Sequence, residues 1–419
     1  MRTFDHLELI SPSPQAEVGA KVVSDPALQG LRVAIIHYWL VTMRGGEKVL
    51  EALCEMFPDA DIFTHVYDPG AVSATIRRHN VTTTFVGRLP RAARYYKSYL
   101  PLMPLALEEL DLRKYDLIIS SESGPAKGIV PMGNAVHVCY CHSPMRYVWN
   151  MYHDYSARSG RLKRFLMKPL THYIRNWDAV SAQRVDGFVA NSDNVRHRIR
   201  RYYNRGASVV YPPVAVADFG PVPPDELGDY HLMVGELVAY KRPDLTVEAF
   251  NRTGQKLVVI GGGEMLETVR KMAGSSVTIL GPQPFNVLRH HYARCRSLVF
   301  PGDEDFGIVP IEAMASGRPV LAYRRGGALE TVVDGVTGLF FDDQSVEAII
   351  DGVARMEAAL ATGIFDSAAI VDHAMQFSPD RFHSRMEAVL AAHVRAARQE
   401  RALNGPQGSQ IPSRKDIAE

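Results

Sequence analysis

The hydrophobic positions of the chain form short apolar runs separated by amphipathic segments. Runs of four to six apolar residues predict strands, and apolar residues spaced three and four positions apart predict helices. Residues 47–57 show the helical pattern, with Val49, Leu50, Leu53 and Phe57 on one face. Strands are predicted at 32–37, 61–66, 116–120, 135–140, 187–190, 208–211, 231–234, 256–260, 277–280, 297–300, 319–323 and 338–341.

The alternation of strands and helices is typical of parallel sheets that helices cover on both faces. A length of 419 residues favours two to three domains. We therefore predict an α/β protein with two Rossmann-like, doubly wound domains, 31–213 and 214–378, whose strand ends face each other across a cleft. An irregular extension (1–30) precedes them, and a polar tail predicted to be disordered (404–419) follows. The pattern of helix 379–403 does not fix its packing partner, and we assign it to the first domain.

Charge and composition narrow the possible functions. Hydrophobic residues make up 46% of the chain and charged residues 22%, which is typical of globular proteins. The net charge of +1 argues against binding to nucleic acid through overall charge. The charges are unevenly distributed along the chain. Residues 158–205 carry 12 Lys and Arg against 3 Asp and Glu, whereas residues 214–375 carry 13 Lys and Arg against 22 Asp and Glu. The basic stretch is either a set of solvated helix faces or a surface for anionic lipid.

The sequence also bears on location. No stretch approaches the roughly 18 apolar residues of a spanning helix, and residues 1–30 lack the apolar core of a secretory signal. We expect a cytoplasmic protein, with a peripheral position on the inner face of the plasma membrane as the alternative. Residues 88–107 interleave Arg and Lys with Tyr and Leu, which suits either a bilayer interface or a helical hairpin packed on the core. Four cysteines give no disulfide framework, and Cys139 and Cys141 lie in a predicted strand.

Two loops of the first domain carry candidate chemistry. Gly45 and Gly46 follow the first strand, where glycines let the backbone approach a ligand and a helix N-terminus offers free N–H groups to an anion. The G-x-G-x-x-G fingerprint of nicotinamide dinucleotide binding is absent here. His142 follows a predicted strand and is either structural or a hydrogen-bonding partner for a substrate hydroxyl or a developing charge.

Two loops of the second domain complete the set. Lys241 and Arg242 follow the strand at 231–234 and form either a solvated pair or a site for a diphosphate. The loop after residue 300 carries Glu304, and a helix carries Glu312, with Pro310 suited to the first helical position and Gly317 to the residue after the end. A loop carboxylate with free N–H groups can hold sugar hydroxyls, and a deeper carboxylate can bind a ribose diol.

Taken together, these loops resemble those of a retaining glycosyltransferase of family 4. Glu304 and Glu312 match the two acids of its E-x7-E motif, and the Gly-Gly loop, the His, the Lys-Arg-Pro turn and the run 313–320 agree in order and spacing. The resemblance covers residues 31–401. Residues 142–149 and 235–244 most resemble a bacterial subgroup that contains mannosyltransferases of O-antigen and exopolysaccharide assembly.

The resemblance implies a GT-B fold, a nucleotide-sugar donor and retention at the anomeric carbon, with no metal and no other cofactor. It implies transfer of a hexose, with mannose from GDP-mannose as the best donor, to a glycan or a polyprenyl-diphosphate-linked acceptor in bacterial surface polysaccharide synthesis. Residues near the reacting centre are implied to be His142 and Glu304. Donor-binding residues are implied to be Gly45, Gly46, Lys241, Arg242, Gly281, Gln283, Phe306, Gly307, Ile308 and Glu312.

Within that set, Gly46 and Lys241 are implied to contact the phosphates, and Glu312 the ribose. The backbone of 306–308 is implied to bind the sugar, and residues 281–283 the base. One position departs from the family, because many relatives carry Arg where this chain has Glu236. A carboxylate cannot neutralise phosphate, so Lys241 needs another cation, for which Arg242 is the candidate.

Alternatives remain open at the level of sequence. A UDP-sugar donor, a nucleotide-sugar epimerase on the same scaffold and a binding protein with a degenerate site share these features. Two Asp-x-Asp stretches, 59–61 and 303–305, invite a metal-dependent mechanism, although the first precedes a strand and the second lies inside the motif already assigned. The sequence does not identify the sugar, base, acceptor, linkage or oligomeric state.

Overall fold

The computed structural model describes residues 22–150, 152 and 160–403, so most of the predicted extension and the whole predicted tail lie outside the described residues. Two parallel sheets organise this part of the chain. The first sheet contains β1 (Val33–His37), β2 (Asp61–Thr64), β3 (Val81–Thr83), β4 (Leu117–Glu122), β5 (Val136–Cys141), β6 (Gly187–Ala190) and β7 (Ser208–Val209). The second contains β8 (His231–Val234), β9 (Leu257–Ile260), β10 (Val277–Gly281), β11 (Leu298–Phe300), β12 (Val320–Tyr323) and β13 (Gly338–Phe341).

Both sheets are doubly wound. Their strand orders are β3-β2-β1-β4-β5-β6-β7 and β10-β9-β8-β11-β12-β13, and all paired strands run parallel. Every residue of β1, β4 and β5 is buried, because helices cover both faces of the sheet. Strand order reverses between β1 and β4 in the first sheet and between β8 and β11 in the second, and ligands bind at such switch points. The predicted fold class is confirmed.

Helices alternate with the strands along the chain. In the first domain they are α1 (Gly45–Met56), α2 (Ala74–Arg77), α3 (Ala92–Tyr95), α4 (Met103–Glu108), α5 (Arg161–Ser181) and α6 (Asp193–Tyr203). The remaining helices are α7 (Pro243–Thr253), α8 (Leu266–Met272), α9 (Phe285–Arg294), α10 (Ile308–Ala315), α11 (Ala328–Thr331), α12 (Val346–Ala361), α13 (Ser367–Ala374) and α14 (Pro379–Leu403).

The chain passes between the domains twice, at neighbouring points. The outgoing segment reaches Val214, whose backbone N–H donates to the carbonyl of Phe377 at 2.9 Å, where the returning segment begins. Helix α14 then packs against the first sheet, with Phe382, Met386 and Leu390 buried in the core of that domain. The return of α14 therefore joins the last residues of the described chain to the first domain.

The structure corrects several details of the sequence analysis. The edge strand β3 was not predicted. Helix α10 begins at Ile308, so the prediction that Pro310 takes the first helical position is wrong; it takes the third. Gly317 does follow the end of that helix, with φ at +71°. Val23 and Leu28, assigned to the extension, are buried in the first core.

Residues 88–107, predicted either to pack on the core or to lie at a bilayer, pack on the core in part. They fold as short helical turns around α3 and α4, with Met103 and Ala106 buried in a small apolar cluster. Tyr95, Leu102 and Leu105 remain 40–52% exposed. No helix among the described residues combines the length and the apolar character that crossing a bilayer requires.

Candidate active site between the two domains

The second domain places a charged pair at its switch point. Lys241 follows β8 and Glu304 follows β11, and these two strands are neighbours where the strand order reverses. The ammonium nitrogen of Lys241 lies 2.8 Å from Oε1 of Glu304, and both side chains are mostly buried. Burial alone would lower the pKa of Lys241, but the Glu304 carboxylate, together with Tyr240 and Glu236, outweighs burial and raises that pKa. Lys241 is therefore a fixed positive charge at the bottom of the cleft.

Helix α10 brings a second carboxylate to the same place. Its N-cap is Gly307, whose φ of +91° turns the chain from the Glu304 loop into the helix. Phe306 is 4% exposed and lies against Tyr211, with ring centroids 5.4 Å apart, which anchors the loop from below. One helical turn further on, Oε2 of Glu312 accepts a hydrogen bond of 2.6 Å from the Tyr292 hydroxyl. Burial raises the pKa of Glu312, and the Tyr292 hydrogen bond opposes part of that rise.

The glycine loop of the first domain faces this helix. A Cβ added to Gly45 would lie 3.0 Å from Cδ1 of Ile308, so the N-termini of α1 and α10 nearly touch across the cleft. A Cβ added to Gly46 would fall on the Tyr38 hydroxyl and lie 3.7 Å from Nε2 of His142. Only glycine fits at position 46 in this arrangement. Two helix N-termini, each favourable to an anion, therefore converge on one point.

His142 ends a polar chain that the sequence did not reveal. Its Nε2 lies 2.9 Å from the Ser121 hydroxyl, and that hydroxyl lies 3.1 Å from Nδ1 of His37. Nε2 of His37 is in turn 3.9 Å from Oε1 of the buried Glu47. Burial, with a smaller contribution from His37, lowers the pKa of His142 to about 3. His142 is therefore neutral at physiological pH and suited to hydrogen bonding rather than to proton donation.

The loop predicted to bind the base lies further along the same sheet edge. The backbone N–H of Gly261 donates to the carbonyl of Gly281 at 3.0 Å, and the Gln283 amide donates to the Leu280 carbonyl at 2.8 Å. This loop follows β10, three strands from β11 and Glu304. At about 4.8 Å per strand, that separation is about 14 Å, which is comparable to the length of an extended nucleotide-sugar.

The two remaining predicted positions are engaged with other side chains. Arg242 has φ at +50°, and its guanidinium binds both carboxylate oxygens of Asp244 at 3.0 and 3.1 Å. Glu236 forms an ion pair of 3.0 Å with Arg44, which belongs to the glycine loop of the other domain. The structure thus brings together Lys241, Glu304, Glu312, His142 and the glycine turns at Gly45, Gly46 and Gly307. It directs Arg242 towards Asp244 instead.

Sequence reasoning missed the contacts that hold the two domains together. Asp305, in the middle of the assigned motif, pairs with Arg198 and with Arg146 of the first domain. The Ser192 hydroxyl donates to the Asp305 carbonyl at 2.7 Å. These contacts hold the Glu304 loop against the first domain. The positive charge of the segment 158–205 is the signal that could have indicated Arg198.

A second missed contact joins α6 to the other domain. Both carboxylate oxygens of Glu330 accept backbone N–H groups, from Asp193 at 2.6 Å and from Asn194 at 2.9 Å. Gly326 and Gly327 precede Glu330, and a side chain at either position would collide with the backbone of the 304–306 loop. The Arg-Arg-Gly-Gly run after β12 was the sequence signal for this packing.

Metal ligands are not grouped in the described part of the chain. Among residues 22–150, 152 and 160–403, no three His, Cys, Asp or Glu side chains are arranged to hold a metal ion. The four cysteines are free and buried. Metal independence stays a prediction.

Comparison with known proteins identifies the family. A model of Glycosyltransferase Family 4 matches residues 43–218, and a model of glycosyl transferases group 1 matches residues 219–359. The two matches meet between the two sheets and together cover about three quarters of the chain. The chain belongs to the family 4 glycosyltransferases.

Curated relatives of this family 4 chain match over part of their length. A GDP-mannose-dependent alpha-(1-6)-phosphatidylinositol monomannoside mannosyltransferase of Mycobacterium tuberculosis is 39% identical over 116 residues, 25% of this chain and 30% of the relative. A D-inositol 3-phosphate glycosyltransferase of Mycobacterium marinum is 31% identical over 201 residues, 43% of this chain and 42% of the relative. The family 4 chain thus spans less than half the length of these relatives.

Solved structures agree over nearly the whole fold. The sucrose-phosphate synthase of Thermosynechococcus elongatus superposes with a TM-score of 0.65 at 20% identity, covering 87% of this chain and 100% of that one. Anabaena HepE, solved with UDP-glucose, superposes with a TM-score of 0.63 at 15% identity, covering 86% and 100%. These likenesses establish the GT-B fold of this family 4 glycosyltransferase.

Proposed function

We propose that the chain transfers a hexose from a nucleotide-sugar to a hydroxyl acceptor. The observation that carries the proposal is the convergence of Lys241, Glu304 and Glu312 with the N-termini of α1 and α10 at one point of the cleft. A fixed ammonium and two helix N-termini suit the diphosphate, and two carboxylates suit the hydroxyls on either side of it. Family membership supports the same activity.

The proposed chemistry is charge stabilisation. Breaking the bond between the anomeric carbon and the diphosphate oxygen leaves positive charge on the sugar and negative charge on the diphosphate. Lys241 and the N-terminus of α10 stabilise the diphosphate, and losing one such donor costs about 3–4 kcal/mol of barrier in other enzymes. The acceptor hydroxyl attacks from the face that the diphosphate leaves, and a phosphate oxygen takes its proton, which gives retention. The neutral His142 supports the sugar by hydrogen bonding.

The proposed donor is GDP-mannose. Support comes from the mycobacterial relative that is described as GDP-mannose-dependent, together with the resemblance of residues 142–149 and 235–244 to mannosyltransferases. A UDP-sugar is the competing donor, because Anabaena HepE was solved with UDP-glucose on the same fold. Thermal unfolding with GDP, UDP and their sugars separates the two, since a ligand at 100 times its dissociation constant adds about 2.7 kcal/mol of stability.

The proposed acceptor is a glycan or a polyprenyl-diphosphate-linked sugar of bacterial surface polysaccharide, reached from the cytoplasmic face of the membrane. The basic helix α5 exposes Phe165, Tyr173 and Val180 by 48–71%, and such a mixture of basic and apolar side chains suits an anionic bilayer surface. Cosedimentation with phosphatidylglycerol vesicles at low salt tests this location. Equal binding to neutral phosphatidylcholine vesicles, or no binding to either, would contradict it.

Three measurements test the activity itself. Transfer of labelled mannose from GDP-mannose to a lipid-linked acceptor is the expected reaction, and the product linkage read by NMR tests retention. Conversion of the donor without any acceptor would indicate an epimerase instead. Full activity in excess chelator is expected, and its loss would overturn the proposed independence of metal ions.

A further inference from the structure

Arg44 reaches from the glycine loop of the first domain to the second domain. Its Nη1 lies 3.0 Å from Oε2 of Glu236. The two side chains are 63% and 43% exposed, and ion pairs this exposed contribute little to stability. The Arg44–Glu236 pair lies at the mouth of the proposed donor site. Stability therefore does not account for its presence there.

The other cations of the cleft already have close partners. Lys241 pairs with Glu304, Arg242 is held by both oxygens of Asp244, and Arg146 and Arg198 pair with Asp305. Their side chains are 14–32% exposed, about half as much as that of Arg44 or less. A diphosphate carries more negative charge than Lys241 alone can neutralise. Arg44 is the cation of this group that an incoming anion can reach with least rearrangement.

The geometry places Arg44 beside the phosphate-binding elements. Its backbone N–H donates to Glu47 at 2.9 Å, which fixes the first turn of α1, and Gly45 follows it directly. On the opposite wall, Glu236 follows Gly235, where an added Cβ would lie 3.6 Å from the ammonium nitrogen of Lys241. The Arg44 guanidinium and the Lys241 ammonium thus approach the same region from the two domains.

We propose that Arg44 is the second cation for the donor diphosphate, and that Glu236 holds its guanidinium over the cleft until the donor arrives. Arg44 then exchanges the Glu236 carboxylate for a phosphate oxygen, with no covalent step. This role rests on the proposed function and adds a residue of the first domain to donor recognition. It also accounts for a carboxylate at position 236, because Glu236 positions a cation instead of supplying one.

The test is the affinity of the full-length chain for GDP and UDP, measured by calorimetry alongside the nucleosides guanosine and uridine. Arg44→Gln should weaken diphosphate binding about 10- to 100-fold, because a charge-assisted hydrogen bond is lost, and should leave nucleoside binding unchanged. Glu236→Gln should bind the diphosphate at least as tightly as the wild type. The charge-exchanged variant R44E/E236R should recover to within about fivefold of the wild type, since it returns a cation from the opposite wall.

The matched control is Arg252→Gln. Arg252 forms exposed ion pairs with Glu248 and Glu347 at the far end of α7, and its loss should not change affinity. Wild-type affinity in a folded Arg44→Gln variant would overturn the assignment of Arg44 while leaving the proposed function intact. If folded R44E/E236R does not recover affinity for GDP and UDP, the positive charge of Arg44 is not what binds the diphosphate. A wild-type chain that binds neither diphosphate would overturn the proposed function and, with it, the role of Arg44.

Discussion

The ammonium group of Lys241 and the carboxylate of Glu304 lie 2.8 Å apart across the switch point of the second sheet. Each neutralises the other in the absence of a donor, so in the proposed function the donor diphosphate competes with the Glu304 carboxylate for the Lys241 ammonium. The pair therefore keeps a buried cation ready without leaving it unpaired, which would cost several kcal/mol.

Replacing Glu304 by Gln should affect binding and transfer in opposite directions. Without its carboxylate partner, Lys241 is free to bind phosphate, so the affinity for GDP or UDP should rise. Transfer should fall about 100- to 1,000-fold, because a group that acts at the reacting centre is lost. Calorimetry and single-turnover transfer measure the two effects. Near-normal transfer with the correct donor would remove Glu304 from the site.

Gly46→Ala should destabilise the fold, because the new methyl group collides with the hydroxyl of the buried Tyr38. Adding Tyr38→Phe removes that hydroxyl and leaves the nearest ring atom at 3.4 Å, an ordinary contact. The double variant should therefore regain most of the lost unfolding free energy in urea titrations. It should not regain donor affinity if the backbone at Gly46 approaches the phosphates. Recovery of both would show that Gly46 serves packing alone.

Tyr292→Phe should shift the pH dependence of nucleotide binding. The Tyr292 hydrogen bond opposes the rise that burial causes in the pKa of Glu312, so its removal raises that pKa further. In the proposed function Glu312 binds a ribose diol, and an ionised carboxylate accepts those hydroxyls best, so affinity should be lost as pH falls through its pKa. The variant should lose affinity at a higher pH than the wild type does.

The control is Tyr230→Phe, because the Tyr230 hydroxyl donates to the His291 carbonyl and not to Glu312. Calorimetric titrations between pH 5 and pH 8 compare the three proteins. If the affinity of Tyr292→Phe and of the wild type falls at the same pH, Glu312 takes no part in nucleotide binding.

His137→Asn should make stability less sensitive to acid. Burial lowers the pKa of His137 to about 3, against about 6.5 in the unfolded chain, so the unfolded state binds more protons as pH falls below 6.5. Above pH 6.5 the ring is neutral in both states, so the fold keeps its full stability there. As pH falls from 6.5 towards 3, protonation of the unfolded chain progressively lowers the free energy of unfolding. Between pH 6.5 and pH 5 the wild type should lose about 1.5 kcal/mol more than the variant. The same change at the exposed His290 is the control for urea unfolding, and equal losses in wild type and His137→Asn would refute the linkage.

Continuous apolar runs made the strands predictable. The twelve predicted strands lie within two residues of observed ones at either end. Strand β3 was missed because it lies at a sheet edge with no fully buried residue, which leaves no apolar run to detect. Pro310 was misplaced because proline is tolerated throughout the first helical turn, where N–H groups have no helical partner. The N-cap is instead set by the positive φ of Gly307, which the sequence does not specify.

The loops of the candidate site were predictable from their place after strands, since the carboxyl ends of parallel strands meet at one edge. The side chains that these loops contact were not predictable. Asp305 was grouped with Glu304 as part of one motif, whereas in the structure it belongs to the contact with Arg198. Likewise, Arg242 was expected to help Lys241, yet Asp244 two residues later binds it. Such pairings depend on the relative placement of loops and domains, which no local pattern specifies.

The late position of Glu330 in the sequence affects how the first domain folds during synthesis. Its carboxylate closes the first turn of α6 by accepting the N–H groups of Asp193 and Asn194, yet it is synthesised 137 residues after Asp193. While the ribosome is still translating the second half, that turn has only the Ser192 side chain as its cap. The leading half of the molecule therefore completes its own hydrogen bonding only when the trailing half has emerged and docked.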